Sequence, residues 1–315
     1  MTRLKDPNSY YVNHVSQKGG ENNMAQVAYA VTEFGEKLEG GYYTTSEEAK
    51  KESQLKEKRK QYFRQMDQER VLKIEFEEVL GEFYFMNYRK LLKITNDNTA
   101  LAFRYLYLCT FADNDGKLEY RGKSVIHKDF KKILGLNPKT AGRDVAELES
   151  YGLIYKVDDI YYVNLEYYIR KQKLPEDFKG NSARMIDHGI RELYEQSTPR
   201  NHEMLGKIVP LLEYINKYNN ILCTKDTVTE FDHKKVKPLS GYEICRICNR
   251  SVENSDRFLK ELKSYVIDRL PFIRRVVDDT KYHLDCYIVN PYVVYMGSRN
   301  DHLEWTFKLF DLRSR

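Results

Sequence analysis

The chain has 315 residues, of which 41% are hydrophobic and 31% charged, and its formal net charge is +5. This length suits about two globular domains, and no apolar run approaches the roughly 20 residues that a membrane-spanning helix needs. The N-terminus lacks the apolar segment of a secretory signal, and five cysteines are too few, and odd in number, for a disulfide framework. We therefore expect a cytoplasmic protein with reduced thiols and no membrane partner.

The N-terminal part of the chain contains no sustained apolar period. Residues 1–44 hold Gly-Gly pairs, Asn and Ser, which is typical of a flexible leader. From Ser46 to Leu80 the sequence is rich in helix formers, begins with a serine that can cap a helix, and mixes acidic with basic residues. This predicts a charged, solvated helix over 45–84, and the acidic residues favour an exposed connection over a nucleic-acid arm.

The next region predicts three helices, a short strand and a hairpin. "KLEYRGK" alternates like a strand, and Ser124 can cap the middle helix, which runs through Lys132 to Leu134. A buried first helix is indicated by apolar residues at helical spacing, namely Leu101, Tyr105, Leu108 and Phe111. Asn137-Pro138 supplies a cap and a first-turn proline for a helix from Lys139 to Ser150. "LIYKVDDIYYVNL" then predicts two strands joined at Asp158-Asp159. The order helix, strand, helix, turn, helix, hairpin is typical of a winged helix-turn-helix.

A second region repeats these landmarks in the same order. The pairs are Asp129-Phe130 with Glu243-Ile244, Ile133-Leu134 with Ile247-Cys248, Glu147-Leu148 with Glu261-Leu262, Val157-Asp158-Asp159 with Val277-Asp278-Asp279, and Val163-Asn164 with Val289-Asn290. We therefore predict a mainly α fold with small β wings, an α+β class, with tandem winged helices over 85–172 and 198–298. A helical connector over 173–197 joins them, and a tail follows over 299–315.

The predicted connector begins with a polar break and continues as a helix with one apolar side. That side is formed by Met185, Ile190, Leu193 and Tyr194. We expect the connector to pack on one or both winged helices, with a mobile linker as the alternative.

Three motifs suggest chemistry that the surrounding residues do not support. "CRIC", with Cys245 and Cys248, has zinc-like spacing, and His283 and Cys286 offer two more soft ligands. In the repeat, however, Cys248 takes an apolar core position, which favours buried thiols. "GKLEYRGKS" has one residue too many between its glycines for a phosphate loop, and none of the 26 tyrosines lies near a His-x-His or HExxH motif. We predict no metal, no cofactor and no catalysis.

Positive charge is concentrated between Lys117 and Arg143, where eight basic residues face two acidic ones, 8 − 2 = +6. In a winged helix the N-terminal end of the second helix of the turn enters the major groove, and neighbouring residues hold phosphates. We predict that Lys139, Thr140 and Arg143 lead into the groove, with Arg143 paired to guanine. The predicted phosphate contacts are Lys128, Lys131 and Lys132. The matching residues of the second copy are Arg250, Ser251, Asn254, Ser255, Arg257, Lys260, Arg274 and Arg275. A merely solvated face is the alternative.

Acidic pairs stand at both predicted wing tips, Asp158-Asp159 and Asp278-Asp279. Carboxylates there would repel phosphates, so we expect the wings to flank the duplex without inserting, or one wing to contact protein. A simple turn-forming role would also explain both pairs.

The duplicated unit and the string "NTALAFRYLYLCTFADNDG…YRGKSVIHKDFKKILGLNPKTAGRDVAELESYGLI" resemble plasmid and phage replication initiators that carry two winged helices in one polypeptide. The resemblance implies binding of double-stranded DNA at an origin or operator through both recognition helices, and switching between monomer and homodimer. It also implies a bacterial host cell, with the protein on the nucleoid. The long leader and the acidic wing tips depart from the family pattern.

Three functions stay open from the sequence. A replication initiator would bind repeated sites and recruit host replication proteins without catalysis of its own. A phage or plasmid transcription regulator would bind an operator, as a dimer formed through the charged helix. A scaffold, or an inhibitor of a host protein, would use the winged folds for protein contacts alone, which the clustered charge disfavours.

Overall fold

The structure is a computed structural model that describes residues 11–13, 29–31, part of 54–61, 78, 80–95, 98–172, 174–267, 269–278, 284–297 and 306–307. The chain divides into two compact units, Met1–Val71 and Leu72–Arg315. In the first unit, strands β1 (Tyr11–Asn13) and β2 (Tyr29–Val31) pair in antiparallel fashion. The predicted leader, charged helix and C-terminal tail lie largely outside the described residues.

The second unit is a mixed α+β fold with small antiparallel sheets, which confirms the predicted class. Its first half contains β3 (Phe83–Asn87), α1 (Tyr88–Thr95), α2 (Thr99–Cys109), β4 (Glu119–Tyr120), β5 (Lys123–Ser124), α3 (Phe130–Ile133), α4 (Pro138–Ser150), β6 (Ile154–Val157), β7 (Ile160–Val163) and β8 (Tyr168–Ile169). Its second half contains β9 (Ser182–Ile186), α5 (Asp187–Glu195), α6 (His202–Leu205), α7 (Ile208–Leu211), α8 (Gly241–Ile247), α9 (Ser255–Ser264), β10 (Val266–Ile267), β11 (Leu270–Pro271), β12 (Ile273–Asp278), β13 (Leu284–Val289) and β14 (Val294–Tyr295). Among the described residues, no helix combines the length and the apolar character needed to cross a membrane.

The two halves repeat one order of elements. Each starts with a strand that leads into a helix, and each then has a short helix, a longer helix, a hairpin and a final strand. We call β3 to β8 the first copy and β9 to β14 the second copy. A third segment joins each hairpin, because the backbone N–H of Leu118 donates to Tyr161 at 2.9 Å and that of Leu222 donates to Tyr287 at 2.8 Å. The two halves therefore share this order of elements, while α2, α6, α7 and the pairs β4-β5 and β10-β11 differ between them.

A four-stranded sheet of order β14-β9-β3-β8 joins the copies. Its centre is the antiparallel pair β3 and β9, with Phe85 opposite Arg184, and the last strand of each copy forms an outer edge. The predicted connector helix is wrong at Met185, which lies in β9, and the helix begins only at Asp187. The physical reason is that 182–186 alternate toward the core and pair with strands on both sides.

One hydrophobic core extends through both copies. Every residue of α2 except Ala100 is buried. The ring of Tyr107 on this helix stacks on Tyr194 of α5 with centroids 3.7 Å apart, and the Tyr194 hydroxyl donates to the Leu134 carbonyl at 2.8 Å. At Gly206 an added Cβ would lie 1.8 Å from the carbonyl oxygen of Thr99, so the two backbones meet there without a side chain between them.

A buried ion pair also links the copies. Arg170 follows β8, Asp187 opens α5, and one guanidinium nitrogen donates to both carboxylate oxygens at 2.9 and 2.8 Å. The Nε of Arg170 donates to the Tyr168 hydroxyl at 2.6 Å, and that hydroxyl donates to the Ala112 carbonyl at 2.7 Å. Burial raises the pKa of Asp187, and the positive charge of Arg170 together with its hydrogen bonds opposes this rise.

Candidate nucleic-acid interface

The first copy contains two consecutive helices, α3 and α4, that share an apolar inner side. The predicted helix from Lys139 to Ser150 is confirmed as α4, which starts one residue earlier, at Pro138. Asn137 caps this helix, because its side chain accepts a hydrogen bond from the backbone N–H of Thr140 at 2.9 Å. Ala141, Val145 and Leu148 form an apolar stripe that α4 buries, whereas Tyr151 at its end is exposed. Local capping and periodicity therefore fix both the start and the orientation of α4.

Four lysines on α3, on the start of α4 and on the turn before α3 extend into solvent. Lys128 lies in the 3-10 helix His127–Asp129, Lys131 and Lys132 lie on α3, and Lys139 lies in the first turn of α4. No carboxylate in the described part of the chain forms an ion pair with any of the four. Their charge is therefore uncompensated within those ranges, which is the condition for binding phosphates.

Arg143 and Thr140 lie one turn apart at the leading end of α4. The Arg143 side chain is 71% exposed, and its guanidinium lies 3.5 Å from one oxygen of Asp144. Thr140 is half-buried. An exposed guanidinium at this end of a capped helix has the reach and the donor geometry to read a guanine edge.

A buried polar network connects α4 to α2 of the first copy and to α6 of the second copy. Arg104 on α2 donates through one terminal nitrogen to Asp144 of α4 at 2.6 Å, and through Nε to Nδ1 of His202 on α6 at 3.1 Å. All three side chains are buried. Sequence reasoning missed this network, because its members are far apart in the chain and follow no period.

His202 makes the network sensitive to acid. Burial, assisted by the positive charge of Arg104, lowers the pKa of His202 from 6.5 to about 4. In the unfolded chain the imidazole takes up a proton near pH 6.5, whereas the folded chain keeps it neutral to lower pH. Because the unfolded state then binds more protons, stability decreases as the pH falls through this window.

We expect the native chain to lose about 2 kcal/mol more unfolding free energy between about pH 7 and pH 4 than the variant His202→Gln. Glutamine retains an acceptor for Arg104 but does not titrate. The measurement is urea unfolding at a series of pH values, and the difference between the two proteins removes the contribution of the other histidines. Parallel pH profiles would contradict the assignment.

The second copy places its predicted residues around a less basic turn. Within 241–264, five basic and four acidic residues give 5 − 4 = +1. Ser240 and Glu243 form a capping box at the start of α8. Ser255, the first residue of α9, is buried. Four other predicted DNA contacts are exposed, namely Ser251, Asn254, Arg257 and Lys260.

Two of the predicted cations of the second copy are already paired. Arg250 lies 3.1 Å from Glu203, and Arg275 makes two bonds of 2.8 Å to Asp285 on the neighbouring strand. Arg274 is half-buried on the same strand as Arg275. The structure thus gathers Arg250 and the start of α9 around one cleft, and it places the Arg274-Arg275 pair apart on the hairpin β12-β13.

The first hairpin, β6-β7, has an acidic tip and an apolar outer face. Asp158 and Asp159 both have positive φ, 47° and 65°, which confirms the predicted two-residue turn. Tyr155 is 41% exposed and Val157 48% exposed, and the Tyr155 ring stacks on Tyr162 across the strands. A face of this kind suits contact with protein better than contact with phosphate. At the second predicted tip, Asp279 lies outside the described residues.

The cysteines of "CRIC" lie in the core. Cys245 and Cys248 are buried, and burial raises the pKa of the Cys248 thiol to about 12. Cys286 is buried on β13, and His283 lies outside the described residues. Elsewhere in the described ranges, no group of three or more His, Cys, Asp or Glu side chains is arranged to hold a metal ion.

Comparison with protein-family models, with curated proteins and with solved structures finds no match to this chain. The resemblance to replication initiators therefore depends on the sequence motifs alone. Function has to be inferred from the charge, the exposure and the placement of the residues described above.

Proposed function

We propose that the chain is a sequence-specific double-stranded DNA-binding protein built on two tandem winged helices. The observation that supports this most is the uncompensated positive face of the first copy, which adjoins the capped start of α4. In winged helices that end of the second helix enters the major groove. Arg143 would read a base there, while Lys128, Lys131 and Lys132 hold phosphates on either side.

For the biological role we propose a replication initiator-like origin binder of a phage or plasmid, with no catalysis of its own. The repeated order of elements supports this role, because two helix-turn-helix units in one chain suit a site with two contacted segments. A transcription regulator is the nearest alternative. Directly repeated binding sequences favour initiation, and a single inverted repeat at a promoter favours regulation.

A protein-interaction scaffold is a second candidate, because the outer face of the first hairpin is apolar. Tyr155, Val157 and Tyr162 contribute to it, and its tip is acidic. Exposed apolar faces rimmed by charge are typical of protein contact sites. The two candidates differ in their response to DNA.

The deciding experiment selects fragments from a pool of random duplexes at two salt concentrations and sequences those that bind. We expect one motif to be enriched and the affinity to fall steeply with salt. Absence of binding at low salt would overturn the DNA function and leave the scaffold.

The variant Arg143→Ala is expected to weaken binding to the selected motif by about 1 to 3 kcal/mol and to relax specificity at one base. Lys131→Ala is expected to weaken all duplexes alike and to lower the salt slope by about one. Fluorescence anisotropy on specific and random duplexes measures both effects. Lys179→Ala is the control, because this ammonium already pairs with Glu176 at 2.6 Å. Unchanged affinity in the first two variants would exclude the first copy as a DNA reader.

A further inference from the structure

A cleft of about 450 Å³ lies in the second copy, between α6 and the start of α9. Its lining includes three arginines, Arg200, Arg250 and Arg257, and it also contains Glu203 and Glu261. The volume is within the range of small-ligand sites. Three guanidinium groups against two carboxylates leave the lining with one excess positive charge.

The three arginines differ in the hydrogen bonds and ion pairs that their guanidinium groups make. Arg200 and Arg257 are exposed, and neither side chain makes an ion pair or hydrogen bond with any described residue. Arg250 is bound through one terminal nitrogen to Glu203 at 3.1 Å, and its Nε is buried without an acceptor among the residues that the structure describes. A buried N–H without an acceptor is costly, so this guanidinium has unused donor capacity.

The remaining lining adds neutral donors and an apolar side. Ser251 precedes the 3-10 helix Val252–Asn254, Asn254 precedes α9, and neither side chain is used as a helix cap. Met204 and Phe258 contribute apolar surface and are themselves buried. The cleft thus combines donors with positive charge, which is the chemistry that recognises a phosphate group.

We propose that this cleft is a phosphate-binding site and that Glu203 is an intramolecular competitor for Arg250. When a phosphate enters, Arg250 exchanges the Glu203 carboxylate for phosphate oxygens, and Arg200 and Arg257 contact the same group from the rim. The identity of the phosphate as one of a bound duplex rests on the proposed function. A free phosphate ester would use the same residues.

The test compares the native chain with Glu203→Gln and Arg250→Gln, and uses Glu166→Gln as the control, because Glu166 is exposed and outside the cleft. The probes are the random duplex pool, measured by anisotropy over a salt series, and inorganic phosphate, measured by calorimetry. Thermal unfolding of each variant confirms that it is folded. We expect Glu203→Gln to raise duplex affinity about threefold, and Arg250→Gln to lower it about tenfold and reduce the salt slope by about one.

The outcomes separate the two proposals. Equal duplex binding by all four proteins, with no phosphate binding that responds to the cleft variants, would overturn the phosphate cleft and leave the DNA function intact. Binding of inorganic phosphate that responds to both cleft variants, without duplex binding, would support the cleft and overturn the DNA function. Binding of neither probe would overturn both.

Discussion

The variant Asp187→Ala is expected to lower the free energy of unfolding by about 3 to 5 kcal/mol, since it removes the buried partner of Arg170 and leaves the guanidinium with Glu82, an exposed carboxylate 3.6 Å away. Both side chains are almost fully buried, and the carboxylate accepts two bonds from one nitrogen. The pair also joins the end of the first copy to the first helix of the second. Urea unfolding followed by circular dichroism measures the decrease.

The matched control is Asp177→Ala, which removes an exposed partner of Lys90 at 2.7 Å. An exposed pair of this kind contributes under about 1 kcal/mol. The double variant Arg170→Met with Asp187→Leu is expected to recover most of the missing stability, because a buried pair replaced by apolar residues is often neutral. A decrease for Asp187→Ala no larger than that for Asp177→Ala would show that the pair is not buried in solution.

Replacing four exposed lysines around α3 and the start of α4 with glutamine is expected to lower duplex affinity roughly a hundredfold at low salt, and to reduce the salt slope by about three to four. The variant combines Lys128→Gln, Lys131→Gln, Lys132→Gln and Lys139→Gln. Each lysine that neutralises a phosphate releases counterions, so the change in slope reports how many phosphates these lysines neutralise in the native complex. Anisotropy with a random duplex over a salt series gives both quantities.

Four lysines that already pair with carboxylates form the control set for this experiment. They are Lys90, Lys179, Lys225 and Lys237. Their replacement with glutamine removes the same formal charge from the chain, so it separates a local binding face from an effect of net charge. Equal decreases in affinity for the two sets would show that the first copy has no special role in binding.

The parts of the fold that depend on neighbouring residues could be predicted from the sequence. Asn137 and Pro138 mark the start of α4, and the aspartate pair at 158–159 marks the turn of the first hairpin, because capping and turn formation act over a few residues. The exposure of Lys131 and Lys132 also follows from local pattern, since they lie between the buried Phe130 and Ile133 of α3.

The sheet at the centre of the second unit could not be predicted in this way. Its strands are short, and β8 and β14 have two residues each, so they carry little alternation of their own. The pairing of Phe85 with Arg184 is set by how the copies pack. The same holds for the contact between Arg104 and His202, whose partners are brought together only by the shared core.

The two copies differ in how many of their predicted DNA-binding cations are available, which the charge of the sequence does not show. The residues around Arg143 and those around Arg250 both contain cations, but their availability differs. The four lysines around α3 and α4 face solvent. In the second copy, Arg250 forms an ion pair with Glu203, and Arg275 forms one with Asp285. Partner choice among charged side chains depends on tertiary placement, which no spacing along the chain reveals.

The close backbone contact at Gly206 bears on how the proposed DNA-binding function would work. Because the copies meet there without an intervening side chain and share one core, the proposed function implies two DNA-contacting units whose separation is fixed. One base pair added between two contacted segments turns one against the other by roughly 35° about the duplex axis. The chain would therefore bind only DNA sites with one spacing between the two contacted segments. A target lengthened by one base pair would be contacted by only one copy at a time.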